Sequence, residues 1–206
     1  MKADNIWITS DTHYSHTNIC RGVSRWGTYD ELGNFTVSIN ATRDFTDVET
    51  MNNLIVDSIN DNVSPNDHLV HLGDWSFGGF EKIQEFRERI NCKNVTLILG
   101  NHDHHIQSNK DGIRKLFTHV AHYEEMKVKG VGTFVLCHYP ILSWNNLRNG
   151  SVMLHGHQHL KEDNRFGKGI DDGVFGKRMD IGLDGSPDFR PYHIEEVVKL
   201  VNDRFN

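Results

Sequence analysis

Cysteine is scarce in this chain: Cys20, Cys92 and Cys137 are the three among 206 residues, and no two form a CxxC pair. An odd, scattered set excludes a disulfide framework and a zinc ribbon and fits reduced thiols in a cytosol. No apolar run approaches the ~20 residues that a membrane helix needs. The N-terminal Met1-Lys2-Ala3-Asp4-Asn5 leads directly into a strand pattern without an apolar signal segment. A cytoplasmic protein with no membrane partner is expected. An excess of positive charge is also missing, since 22 Lys and Arg face 28 Asp and Glu for a formal net charge of −6. Broad binding to a nucleic-acid backbone needs a basic face and is therefore not expected. A single nucleotide stays compatible, because local metal charge can outweigh the global sign. Repeats, long linkers and low-complexity tracts are absent, so residues 1–206 read as one domain.

What the chain has in plenty is histidine, with fourteen copies. Many of them follow a pattern. Ile6 to Ser10 runs into Asp11-Thr12-His13, and Leu69 to Leu72 into Gly73-Asp74. Val95 to Leu99 runs into Gly100-Asn101-His102-Asp103, Phe134 to Cys137 into His138, and Val152 to His155 into Gly156-His157-Gln158-His159. Five apolar runs ending in nitrogen and oxygen donors describe a sheet whose strand ends converge on one place, and open α/β sheets bind ligands at those carboxyl ends.

Between these runs, Val48, Met51, Leu54, Ile55 and Ile59 recur at helical spacing from about Asp47, and Phe80 to Ile90 repeats that pattern. A short third helix is expected at Asp111 to Phe117. Val120 to Val128, Thr133 to Cys137 and Ser151 to His155 read as extended, Asn164 to Gly176 as a mobile hairpin or loop, and Arg178 to Leu183 as another strand. Ile194 to Val201 ends the chain as helix or strand. An alternating β/α first half and a β-rich second half suggest two sheets packed face to face with helices outside. Residues 14–46 form a long insert without sustained periodicity, a length often associated with function.

On an extended segment, side chains at i and i+2 point the same way, so Asp11 and His13 can hold one ion, as can His157 and His159. Asp74, Asn101 and His138 arrive singly. The donor set suits Mn, Fe, Zn or Ni better than Ca or Cu(I). Seven side chains are too many for one ion and about right for two that share a carboxylate, with Asp74 the natural bridge. Two divalent ions leave the pocket net positive after Asp11, Asp74 and a bridging hydroxide are counted. Such a pocket favours a phosphate ester, attacked by that hydroxide. His102 is assigned as general acid or transition-state hydrogen-bond donor for the leaving group, and Asp103 as the carboxylate that orients it and raises its basicity. His16, Arg21 and Arg43 are candidate substrate contacts, with Arg25, Trp26 and Phe45 as further parts of a lid. His71 and His155 read as packed strand residues. Asp180 and Asp184 either tie down site histidines or cap turns.

Asp11-x-His13, Gly73-Asp74, Gly100-Asn101-His102-Asp103, His138 and Gly156-His157-x-His159 resemble, in order and spacing, the five blocks of the calcineurin-like metallophosphoesterases. Ser10-Asp11-Thr12-His13-Tyr14-Ser15-His16-x-Asn18-Ile19, His71-Leu72-Gly73-Asp74 and Asp180-Ile181-Gly182-Leu183-Asp184 look like the small bacterial and phage members. The resemblance implies a four-layer αββα sandwich of α/β class. It also implies one ion on Asp11, His13, Asp74 and His159, the other on Asp74, Asn101, His138 and His157, and His102 as the catalytic histidine. The stretch from Arg21 to Thr46 is longer than in many small members.

The expected activity is hydrolysis of a phosphodiester of nucleotide type, with Mn as the favoured metal. A phosphomonoesterase or protein phosphatase of the same fold competes with it. So does a non-catalytic scaffold, which would be expected to have lost ligands or His102.

Overall fold

Largely apolar runs of four to six residues form the five strands that lead into the expected ligands. The computed structural model describes residues 5–20, 28–29, 32, 35–36, 43–161 and 164–205. In chain order the first elements are β1 (Ile6–Thr9), α1 (Thr17–Cys20), β2 (Thr28–Tyr29), β3 (Phe35–Thr36), α2 (Val48–Asn62), β4 (His68–His71) and α3 (Phe80–Arg89). Then come β5 (Asn94–Ile98), α4 (His104–Ser108), a 3-10 segment (Lys110–Leu116), β6 (His119–Ala121), β7 (Tyr123–Val128), β8 (Gly132–Cys137) and β9 (Val152–His155). The last are β10 (Phe166–Asp171), β11 (Val174–Asp180), β12 (Tyr192–His193) and α5 (Ile194–Phe205).

Two five-stranded sheets result, ordered β12-β1-β4-β5-β6 and β10-β11-β9-β8-β7. β1, β4, β5 and β6 are parallel, with Thr9 opposite His71 and His71 opposite Leu97, so their carboxyl ends emerge on one edge. β8, β9 and β11 are likewise parallel. Ile6, Ile8, Val70, Leu72 and Ile98 of the first sheet meet Phe134, Leu136, Leu154 and Met179 of the second in a dry core, which α5 completes with Ile194, Val197 and Val201. The outer face of the first sheet packs on α2 and α3 through Met51, Ile55, Ile59, Ile83 and Phe86. α2 starts where Asp47 accepts the Thr50 N–H at 2.7 Å, a side-chain cap that satisfies one of the free amides of the first turn. The outer face of the second sheet is covered by the loop carrying Trp144 and Leu147, over Val135, Cys137 and Met153. The expected sandwich of two sheets with helices outside is thus present, its fourth layer thinned to that loop.

Three local expectations change. The extended run from Val120 to Val128 divides at His122: β6 pairs with β5 in the first sheet and β7 with β8 in the second. Asn164 to Gly176 is a hairpin of regular strands, closed at Asp172 (φ 47°) and Gly173 (φ 80°). Asp-Gly in that left-handed pair is the turn that matches strand twist. The strand expected from Arg178 begins at Val174 and ends at Asp180. The terminal segment is helical. Of the insert, residues 14–20, 28–29, 32, 35–36 and 43–46 are described, and Arg21, Arg25 and Trp26 lie outside the described residues.

Candidate metal centre

Each expected ligand sits just past a strand end. Beyond β1 the chain keeps step with the loop after β4: the Asp11 N–H donates to Gly73 O at 2.9 Å and the His13 N–H to Asp74 O at 3.0 Å. The two sheets join at the same edge through Leu183 N–H to Ser10 O (3.2 Å), and within the second sheet Gly156 N–H donates to His138 O (3.0 Å). The ligands are not extended, however. Asp11 (φ 57°), His13 (47°), Asp74 (57°), His157 (70°) and His159 (51°) all lie in the left-handed region. Convergence therefore comes from left-handed turns and not from the i, i+2 alternation of a strand. Non-glycine residues occupy that region at a cost, and such strain gathers at functional sites. Two glycines make room. A Cβ on Gly73 would lie 2.8 Å from His138 Nδ1, and one on Gly156 would collide with Ser10 Oγ and the Asp11 carboxylate.

The donors form two connected groups, Asp11 with His13 and His159, and Asp11 with Asp74 and His138. Asp74 Oδ1 accepts the His102 N–H at 2.9 Å, which turns Oδ2 toward the centre. Oδ2 then lies 3.5 Å from His13 Nε2 and 3.5 Å from His138 Nε2. Asp11 accepts the His157 N–H, and its Oδ1 lies 3.9 Å from His13 Nε2 and 3.8 Å from His159 Nε2. Asn101 Oδ1 sits 3.0 Å from His138 Nε2 and 2.9 Å from His157 Nδ1. All seven expected ligands are brought together.

The residues fit divalent metal. Both ring nitrogens of His13 are buried without a hydrogen-bond partner. Burial holds this imidazole's pKa well below its ordinary value, with His159 and Arg43 adding to the effect, so the ring stays neutral. His138 Nδ1 is 2.7 Å from Leu72 O. With that nitrogen donating, Nε2 directs a lone pair at two oxygens, an arrangement that a cation between them resolves. His159 Nδ1 donates in the same way to Asp184 Oδ2 at 2.7 Å. Burial disfavours its charged form, but Asp184 and Asp11 outweigh burial and raise its pKa. Carboxylate or carbonyl partners of this kind fix the tautomer of metal-ligating histidines. Burial raises the Asp11 pKa, with the neighbouring histidines opposing. A carboxylate buried this deeply is stabilised in its charged form by a nearby cation.

A family comparison decides what this centre belongs to. A sequence model described as calcineurin-like phosphoesterase matches residues 5–180. The chain belongs to that family. Together with the Asp and His clusters, this makes it a metal-dependent phosphoesterase. The phosphoesterase is also 27% identical over 206 residues to the uncharacterized protein MJ1445 of Methanocaldococcus jannaschii, covering 98% of this chain and 93% of that one. In fold it is similar to the protein of unknown function AQ665 from Aquifex aeolicus. That match has a TM-score of 0.61 and 20% identity, and covers 96% of this chain and 99% of the other.

Several site expectations meet a different geometry in the phosphoesterase. Asp103 does not orient the His102 ring: its buried carboxylate accepts the N–H groups of Asp74 (2.8 Å), Trp75 (2.9 Å) and Gly100 (2.8 Å). It ties the loops after β4 and β5 together, and burial pushes its pKa up to about 6. Arg43 does not face the pocket either, because its guanidinium is buried against Asp184. Phe45 packs edge-on against Phe189. His71 is a packed residue, 2.9 Å from Thr12 Oγ1. His155 is buried too, its Nδ1 3.0 Å from Gly156 O. Asp184 ties down His159, whereas Asp180 caps a turn by accepting the Gly182 N–H at 2.8 Å.

His16 does reach the site. Its ring stacks on Phe77 at 3.5 Å, and Phe77 lies 4.7 Å from the His102 ring. On the opposite side, half-exposed Tyr139 packs edge-on against His138 (5.0 Å) and His157 (4.9 Å). Sequence reasoning overlooked Phe77 and Tyr139. The signal for both was position, three residues after Asp74 and one after His138.

Proposed function

We propose that the protein is a dinuclear phosphodiesterase acting on a nucleotide-type substrate, with Mn²⁺ as the preferred metal. The observation that carries the dinuclear reading is Asp74 Oδ2, equidistant at 3.5 Å from His13 Nε2 and His138 Nε2. Asp11, His13, Asp74 and His159 would hold one ion, and Asp74, Asn101, His138 and His157 the other. Bound divalent ions supply Lewis-acid activation of water and neutralise charge on the phosphoryl oxygens.

The chain's own groups supply the rest. His102 stands half-buried at the rim, its ring edge-on to His13 at 5.5 Å. From there it gives a proton to the departing alcohol oxygen. The His102 backbone also fixes Asp74, so the proton donor and the carboxylate that both ions would share are set by one residue. Phe77 with His16 on one side and Tyr139 on the other offer apolar walls beside the phosphate position. An ester carrying an organic group on each side of phosphorus suits two such walls.

The test is a panel of aryl, cyclic and linear diesters, monoesters and phosphopeptides, assayed with Mn²⁺. Diester turnover should lead. His102→Ala should lower kcat by roughly 10²–10⁴ with metal content unchanged. Absence of turnover with any divalent metal would sink the proposal, and faster phosphopeptide hydrolysis would move it to a protein phosphatase.

A further inference from the structure

Arg43 is 2% exposed, and its guanidinium is spent entirely inside the protein. Nε and Nη2 donate to Asp184 Oδ1 and Oδ2 at 3.0 and 3.1 Å. Nη1 donates to Thr12 O at 2.9 Å and Nη2 to Asp11 O at 2.5 Å. Asp184 Oδ2 in turn accepts the His159 Nδ1–H at 2.7 Å. One planar, permanently charged group thus holds the backbone of one expected ligand and, through a carboxylate, the ring of another. A guanidinium matches this combination of carboxylate and carbonyls in a way an ammonium does not. All four of these bonds to oxygen fall on Asp184, Thr12 and Asp11, on the side of His13 and His159. Asn101 and His138 take none of these bonds, His138 being fixed by Leu72 O, and His157 meets them only through its N–H on the Asp11 carboxylate.

We propose that Arg43 is a positioning residue that acts chiefly on one metal position. It sets the His159 tautomer through Asp184 and locks the left-handed Asp11 turn, so it governs affinity for the ion on Asp11, His13 and His159. This inference rests on the dinuclear reading above. Loss of such an outer partner costs about 10–100-fold in metal affinity.

The test titrates metal-free full-length protein with Mn²⁺, following stoichiometry by calorimetry and the electron spin resonance of the product. Wild type, Arg43→Met, Arg43→Lys and Asp184→Asn are compared, with His159→Ala as the reference for loss of that position. Wild type should take two ions and give an exchange-coupled spectrum. Arg43→Met and Asp184→Asn should keep one ion at wild-type affinity and weaken the other about 10–100-fold. Their spectrum at two equivalents should be the uncoupled one seen in His159→Ala, and Arg43→Lys should fall between. Two ions bound at wild-type affinity by folded Arg43→Met, or both weakened equally, would overturn the proposal. If Arg43→Met does not fold, the same outcomes in Arg43→Lys and Asp184→Asn decide it. A wild type that binds no metal would instead remove the dinuclear reading.

Discussion

Two buried side chains carry the clearest consequences at the scale of the residue. Asp103 accepts three backbone N–H groups from the loops that present Asp74 and Asn101. Asp103→Ala leaves those donors buried and unpaired at about 1–3 kcal/mol each. Denaturant unfolding should show a loss of at least ~3 kcal/mol, and metal affinity should fall with it. His71 is fully buried and its pKa is pushed down to about 3, chiefly by burial and secondarily by His138. Below pH 6.5 the unfolded chain takes up this proton and the folded chain does not, so stability falls as pH drops from about 6.5 toward 3. His71→Gln should lose less stability than wild type between pH 7.5 and 5, as read from paired unfolding midpoints. Residue identity was legible at this scale and residue partnership was not. Asp103 adjoins His102 in the chain, yet its carboxylate turns to the neighbouring loop. Arg43 carries the right chemistry for a phosphate and spends it on Asp184, 141 positions away.

Among the elements, strands ending in donors were plain to read because burial on both faces makes continuous apolar runs. What hid was anything set by pairing or by φ. Nothing in Val120 to Val128 says that the chain leaves one sheet for the other at His122. α4 has five polar-rich residues, too few to show a period. β10 is an edge strand and so carries little apolar signal, although Asp172-Gly173 marks its turn. The loop after β9 depends on Gly156, whose missing side chain lets Ser10 and Asp11 approach. Gly156→Ala should displace the Asp11 carboxylate and abolish tight metal binding while leaving the sheets intact. Calorimetric metal titration beside a far-ultraviolet dichroism spectrum checks both halves of that expectation.

Over the whole molecule, the centre joins the sheets. Asp11, His13, Asp74 and Asn101 come from the first and His138, His157 and His159 from the second. Each ion would take donors from both, so metal should act as a clasp on the sandwich. At 100 times its dissociation constant one ion adds about 2.7 kcal/mol. For a chain of this size that is roughly 5–10 °C in Tm, to be lost on adding a chelator and read by scanning calorimetry. No helix among the described residues is long and apolar enough to cross a membrane.

The five left-handed ligands make the centre locally strained. Asp or His in that backbone state costs roughly 1 kcal/mol each against glycine. Among substitutions that remove the same carboxylate, glycine relieves this strain and alanine keeps it. Asp74→Gly should accordingly outlast Asp74→Ala in the presence of EDTA.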